Sequence, residues 1–119
     1  MGMFDYLYSR VPLPECDLPA GTELQTKDLG CFLEHYVIDE AGRLLRCASM
    51  ADDPLDLAGA EDTRHHGDVR FYTTGPGGEL YEFMARFTHG RLERLRRDRE
   101  GEERWRAYIA KARAPSQGT

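Results

Sequence analysis

Apolar and polar residues change rhythm several times along this 119-residue chain, and each change predicts an element. Residues 65–73 and 80–88 alternate, which places His65, Val69 and Phe71 on one face and answers them with Tyr81, Phe83, Ala85 and Phe87. The connection Thr74-Gly75-Pro76-Gly77-Gly78-Glu79 is turn chemistry throughout. His89-Gly90 then makes a two-residue turn into a third strand over 91–96. A regular ladder there sets Phe87 opposite Leu92, Arg86 opposite Glu93 and Met84 opposite Leu95, with arginines protecting an edge. Upstream, residues 31–38 and 43–47 are two apolar runs joined by Asp39-Glu40-Ala41-Gly42, a hairpin in which Gly42 supplies a positive φ. Cys31 and Cys47 read as small core residues of those strands.

The flanks are less regular. Residues 1–23 hold Pro12, Pro14 and Pro19 and read as an extended start, tacked onto the domain by Phe4, Tyr6 and Tyr8. Gln25-Thr26-Lys27-Asp28-Leu29 reads as a short strand ending in an Asx-type turn, with Lys27 able to meet an anion. Residues 48–64 form an acidic loop carrying Asp52, Asp53, Asp56, Glu61 and Asp62, in which Asp53-Pro54 opens a single helical turn. Residues 98–114 are helical: Trp105, Tyr108, Ile109 and Ala112 recur at i, i+3, i+4 and i+7. Glu100→Arg104 and Glu102→Arg106 add favourable pairs, and Pro115 ends the helix before a fraying tail. The stripe is expected to bury itself on the sheet face that holds Met84 and Leu95. The fold class is therefore α+β, mainly β: one domain over 1–119, an antiparallel β-meander of four to five strands with a C-terminal amphipathic helix packed on it.

Charge sharpens this picture. Residues 1–60 carry 11 acidic and 4 basic side chains, and residues 61–119 carry 10 and 12, so the formal charge of −5 is unevenly divided. Segregation of that kind lets one end meet an anionic partner while the other repels it. Three cysteines do not make a disulfide scaffold, and no apolar run is long enough for a membrane span. A cytoplasmic protein with free thiols is the expectation. Nucleic acid is disfavoured despite Arg91, Arg94, Arg96, Arg97, Arg99, Arg104 and Arg106, because Trp105 and Tyr108 lie on the stripe that the core claims and the chain is acidic.

Catalytic signatures are missing from the sequence. There is no nucleophile elbow, no phosphate loop and no zinc-ligand spacing, so no catalytic residue, metal or cofactor is expected. His66 and Asp68 share a strand face with Arg70 and Tyr72, and Glu82 and Arg86 lie across the hairpin. That face offers His66, Asp68, Arg70, Tyr72 and Arg86 as a ligand platform, or else a solvated face with cross-strand pairs of Asp68 with Arg86 or Arg70 with Glu82. A metal-assisted hydrolase built on His66 and Asp68 ranks behind both.

Met3-Phe4-Asp5-Tyr6, Pro12-Leu13-Pro14, Gln25-Thr26-Lys27-Asp28-Leu29, His66-Gly67-Asp68-Val69-Arg70-Phe71-Tyr72 and Tyr81-Glu82-Phe83-x-Ala85-Arg86-Phe87-Thr88-x-Gly90-x-Leu92 occur here in order. Together they resemble a group of small phage and prophage proteins. The resemblance covers residues 3 to about 95 and carries no activity with it. It implies a mobile-element protein acting inside a bacterial host cell, where such proteins often bind a host component. The leading expectation is a non-enzymatic binding protein, an inhibitor of a host or anti-phage defence protein, able to form a homodimer. Its contact surface would be the acidic loop with Asp52, Asp53, Asp56, Glu61 and Asp62, or an edge strand. The alternative is a small-ligand binder that sequesters an anionic metabolite such as a signalling nucleotide on the His66, Asp68, Arg70, Tyr72 and Arg86 face.

Overall fold

A computed structural model describes residues 3–19, 21–47, 59–75 and 77–113. Among them, eight strands and one helix follow in chain order: β1 (Asp5–Ser9), β2 (Leu24–Thr26), β3 (His35–Ile38), β4 (Leu44–Cys47), β5 (Glu61–Asp62), β6 (Gly67–Thr74), β7 (Leu80–Thr88), β8 (Arg91–Arg97) and α1 (Arg99–Arg113). The strands form one sheet in the order β5-β4-β3-β1-β2-β6-β7-β8. Neighbours are antiparallel except β1 and β3, which run parallel from Tyr6 opposite His35 to Ser9 opposite Ile38.

Mainly β with one packed helix is what the sequence predicts, but an eight-stranded mixed sheet corrects the four- to five-stranded antiparallel meander. The proline-rich start is not an appendage: it supplies β1, in the middle of the sheet. Strands of two to five residues are too short for alternation to announce them. They are held by long-range contacts instead. Asp5, 0% exposed, accepts backbone N–H groups from Cys31 (2.6 Å), Phe32 (3.0 Å) and Glu34 (2.9 Å). This carboxylate shapes residues 31–34 into a loop with positive φ at Cys31 and Leu33, so Cys31 is not a strand residue and only Cys47 is buried.

Leu7, Leu24, Ile38, Leu44, Val69, Phe71, Phe83, Ala85 and Phe87 form one buried cluster on the inner face. The alternation predicted for β6 and β7 holds, with Val69 opposite Ala85 and Phe71 opposite Phe83. The two distant halves of the sheet meet where the Leu92 N–H donates to the Gly42 carbonyl (2.7 Å). Gly42 has φ +82, and a Cβ there would approach Leu92 Cβ to 3.2 Å, so the contact needs glycine twice over.

One register differs from expectation. The His89-Gly90 turn is tight, with φ of 51 and 83, and sets Phe87 opposite Leu92 as predicted. Beyond it the ladder shifts: Arg86 faces Arg94, Ala85 faces Leu95 and Met84 faces Arg96. Glu93 is the extra residue of this bulge, and its carboxylate accepts the Thr88 hydroxyl. A one-residue slip sends each following side chain to the opposite face. Leu95 therefore packs on the inner core, and the outer face gains Arg94 and Arg96.

Asp98 starts the helix. Its Oδ1 accepts the Gly101 N–H (3.0 Å), its carbonyl takes the Glu102 N–H (3.1 Å), and Glu100 and Glu102 lie in the favourable first turn. The expected Glu102–Arg106 pair forms at 3.7 Å. The helix does dock on the outer face, mainly against β7. It does not do so through its apolar stripe, however: Trp105 is 43% and Tyr108 63% exposed. The seat is polar. Glu102, 1% exposed, accepts from Arg97 Nε (2.7 Å) and from the Glu82 backbone N–H (3.0 Å), while the Asp98 N–H donates to the Glu82 carbonyl (2.7 Å). These contacts fix the first turn, and beyond it Trp105 and Tyr108 remain exposed.

Candidate functional site

A cleft of about 330 Å³ lies between the outer sheet face and α1. Its floor is Arg70 and Tyr72 of β6 with Glu82 of β7, and Lys27 and Asp28 form one wall. Gly101, Arg104, Trp105 and Tyr108 form the other. Their spacing is i, i+3, i+4 and i+7, so one helix face lines the cleft. Trp105 and Tyr108 present stacked rings, with centroids 5.4 Å apart and planes 5° from parallel.

The Gln25-Thr26-Lys27-Asp28-Leu29 motif positions the floor. Thr26, fully buried, donates its hydroxyl to the Arg70 carbonyl (2.7 Å), and Asp28 Oδ2 accepts the Arg70 N–H (2.8 Å). The Asp28 N–H in turn donates to Thr26 Oγ1 (3.2 Å), closing the local turn expected there. Both backbone groups of Arg70 are thus held by side chains of one three-residue segment, which brings Lys27 to the rim.

Arg70 Nε lies 3.5 Å from Glu82 and 3.9 Å from Asp98. These contacts are electrostatic: Nε itself is buried without a hydrogen-bond acceptor among the described residues. Burial pushes the Glu82 carboxyl above its ordinary range, Arg70 pulls it partly back, and Asp98 pushes it up again. Burial likewise raises the Tyr72 phenol. Lys27 and Arg104 form no ion pair with a described residue. With Arg70 set against Glu82, the remaining charges of the lining (Lys27, Arg104 and Asp28) leave the cleft net positive.

The sequence-predicted platform is divided by the structure. Arg70 and Tyr72 lie in the cleft. Asp68 and Arg86 face each other one pair further along, joined at 3.6 Å, so both anticipated cross-strand pairs form. His66 precedes β6 and belongs to the hairpin end, where its Nδ1 accepts the His89 N–H (3.0 Å) and its ring lies 5.0 Å from His89. At about 3.3 Å per strand residue it is roughly 13 Å from Arg70 along the chain, too far to share one small ligand. Sequence reasoning missed Arg104, Trp105 and Tyr108 as lining residues because the apolar stripe looked destined for the core. Glu61 and Asp62, expected in a loop, form edge strand β5 against β4, with Glu61 paired to Arg46. Asp52, Asp53 and Asp56, with the Asp53-Pro54 helical turn, lie outside the described residues.

A second polar group stands on the same outer face. Tyr8 Oη donates to Glu23 (3.4 Å) and lies 3.4 Å from His35 Nδ1. Burial, assisted by Glu23, pushes the Tyr8 phenol up to about 12, and burial lowers His35. A phenol held protonated there serves as a structural donor. Among the described residues no three His, Cys, Asp or Glu side chains are grouped to hold a metal ion, and no helix is long and apolar enough to cross a membrane. Compared with family models, curated proteins and solved structures, the chain matches none.

Proposed function

We propose that this chain is a non-enzymatic binding protein that sequesters a small anionic ligand carrying a flat ring, such as a signalling nucleotide, in the cleft beneath α1. The observation that carries this reading is the exposed Trp105–Tyr108 stack lining a net positive cleft of about 330 Å³. Exposed aromatic area is a liability unless something covers it, and a ring can stack there at about 1–3 kcal/mol per base. Lys27 and Arg104, neither of which forms an ion pair with a described residue, suit a phosphate or similar anion. The ligand's flat part then lies toward the helix and its charge toward the rim. Its resemblance to small phage and prophage proteins adds a setting inside a bacterial host cell. Thermal melting against a panel of nucleotides tests the reading: a rise of several degrees is expected with at least one of them, and a flat panel would refute it.

A second reading, inhibition of a host or anti-phage defence protein, draws on a different observation. β5 is a two-residue edge strand with Glu61 and Asp62 both exposed, and in the sequence Asp52, Asp53 and Asp56 precede it. A partner with a basic strand or loop would meet that edge. Retention of no partner from host lysate by the immobilised protein would count against it, and a homodimer would show directly in solution mass measurements.

A further inference from the structure

We propose that the cleft selects a guanine nucleotide, its base read by Glu82 and Arg70 on the floor. This inference rests on the small-ligand reading above and names the ligand within it. Glu82 is nine-tenths buried and lines the cleft, yet its carboxylate accepts no hydrogen bond from any described residue. Beside it, Arg70, which also lines the cleft, has a buried Nε with no hydrogen-bond acceptor among the described residues, while its side chain as a whole is 43% exposed. The two are paired only loosely, at 3.5 Å and without a hydrogen bond between them, so both keep unused hydrogen-bonding capacity at the cleft floor.

Their chemistry specifies the ligand's edge. A carboxylate offers two acceptor oxygens, and a guanidinium offers only donors. The complementary edge presents two adjacent donors next to one acceptor. Guanine does so, with its N2 amine and N1–H beside O6. Adenine presents a single donor next to an acceptor, cytosine one donor next to two acceptors, and uracil one donor between two acceptors. The guanine edge thus gives Glu82 two donors and Arg70 one acceptor, while Trp105 and Tyr108 cover the ring and Lys27 and Arg104 take the phosphate. Reading a base by hydrogen bonds to its pairing edge and by aromatic stacking is a general solution for an unpaired base.

The full chain carries a reporter at the site, because Trp105 is its only tryptophan. Titrations with GMP, IMP, AMP, CMP and UMP, followed by Trp105 fluorescence and calorimetry, test the assignment. GMP is expected to bind at least about tenfold more tightly than IMP, which lacks the N2 amine, and more tightly than the other three. Glu82→Gln is expected to erase the GMP preference while leaving weak binding of all five. Arg104→Ala, at an exposed helix position, should weaken all five alike. Equal affinity for GMP, IMP and AMP overturns the guanine assignment and leaves the small-ligand reading intact. Silence from all five nucleotides overturns the assignment together with the nucleotide form of that reading. The GMP and IMP comparison needs no variant, so a poorly folded Glu82→Gln protein would not shield the proposal.

Discussion

Glu82 fills the space that a side chain at residue 101 would need. A methyl built on Gly101 would overlap Glu82 Oε2 and stand 2.7 Å from Asp98 Oδ2. The first turn of α1 therefore leaves no room for a Cβ at residue 101 unless the Glu82 and Asp98 carboxylates shift. Gly101→Ala should force the first turn away from β7 at a cost of about 1–3 kcal/mol, typical of overpacking. Urea denaturation measures the loss, and a stability equal to the parent's would show that the seat is not close-fitting.

Trp105 behaves oppositely to a core tryptophan. Truncating a buried Trp costs about 3–5 kcal/mol, whereas exposed positions generally change stability by about half a kcal/mol. With Trp105 43% exposed, Trp105→Ala is expected to cost no more than about 1 kcal/mol while abolishing ligand binding in the cleft. A large drop in melting temperature would mean that the stripe is buried after all.

Asp5 is the polar keystone of the 31–34 loop. Asp5→Ala strands three backbone N–H groups, each worth about 1–3 kcal/mol when left unpaired and dry. Partial rehydration lowers the sum, and a net loss of about 2–4 kcal/mol is expected. Asp5→Asn keeps one acceptor oxygen and should fall between the two. If alanine and asparagine variants unfolded at the same denaturant concentration as the parent, the loop would have to be held by something else.

Gly42 joins the two halves of the sheet. Its φ of +82 disfavours any other residue, and a Cβ would meet Leu92 Cβ at 3.2 Å and the Leu92 nitrogen at 3.3 Å. Gly42→Ala is expected to destabilise by about 1–3 kcal/mol. Hydrogen exchange should show the Leu92 amide losing protection first, because its bond to the Gly42 carbonyl is the contact strained. Unchanged protection there would contradict this account.

Mild acid should weaken the fold through two histidines. Burial lowers His65 below its ordinary 6.5, with His66 adding to the effect, and burial lowers His35 against the opposing pull of Glu23 and Asp5. The unfolded chain takes up protons near pH 6.5 that the folded chain refuses. The stability these groups contribute is therefore complete above pH 6.5 and declines as pH falls below it, levelling out past the folded-state values. Glu102 adds a later loss. Burial raises its carboxyl, but Arg97 and the Glu82 N–H outweigh that and hold it below 4.5, so its contribution disappears as pH falls through that lower range. Melting temperatures measured from pH 7.5 to 5.5 should decline, and His65→Gln should flatten part of the slope. Glu82, whose raised carboxyl favours proton uptake by the folded chain, opposes this decline, so a His65→Gln profile identical to the parent's would rule out His65 as a linked group.

Much of the scaffold was legible in the chain alone. Strict alternation at Val69, Phe71, Phe83, Ala85 and Phe87 determined the inner face of β6 and β7, because a strand exposes successive residues to opposite sides. Gly42 and His89-Gly90 determined two turns, because few residues accept a positive φ. The i, i+3, i+4, i+7 spacing determined α1 and even the sheet face it would approach. What the spacing left open was whether the stripe would close on that face. Only the tertiary structure decided this, since the polar seat couples Asp98 and Glu102 to the backbone of Glu82, which folding brings from β7. The same holds for Leu95, moved to the core by a bulge at Glu93, and for β1, a five-residue strand placed centrally by pairing with β2 and β3. Local periodicity reports what a segment can bury. Which neighbour it meets depends on register and long-range hydrogen bonds, which no single stretch of sequence contains.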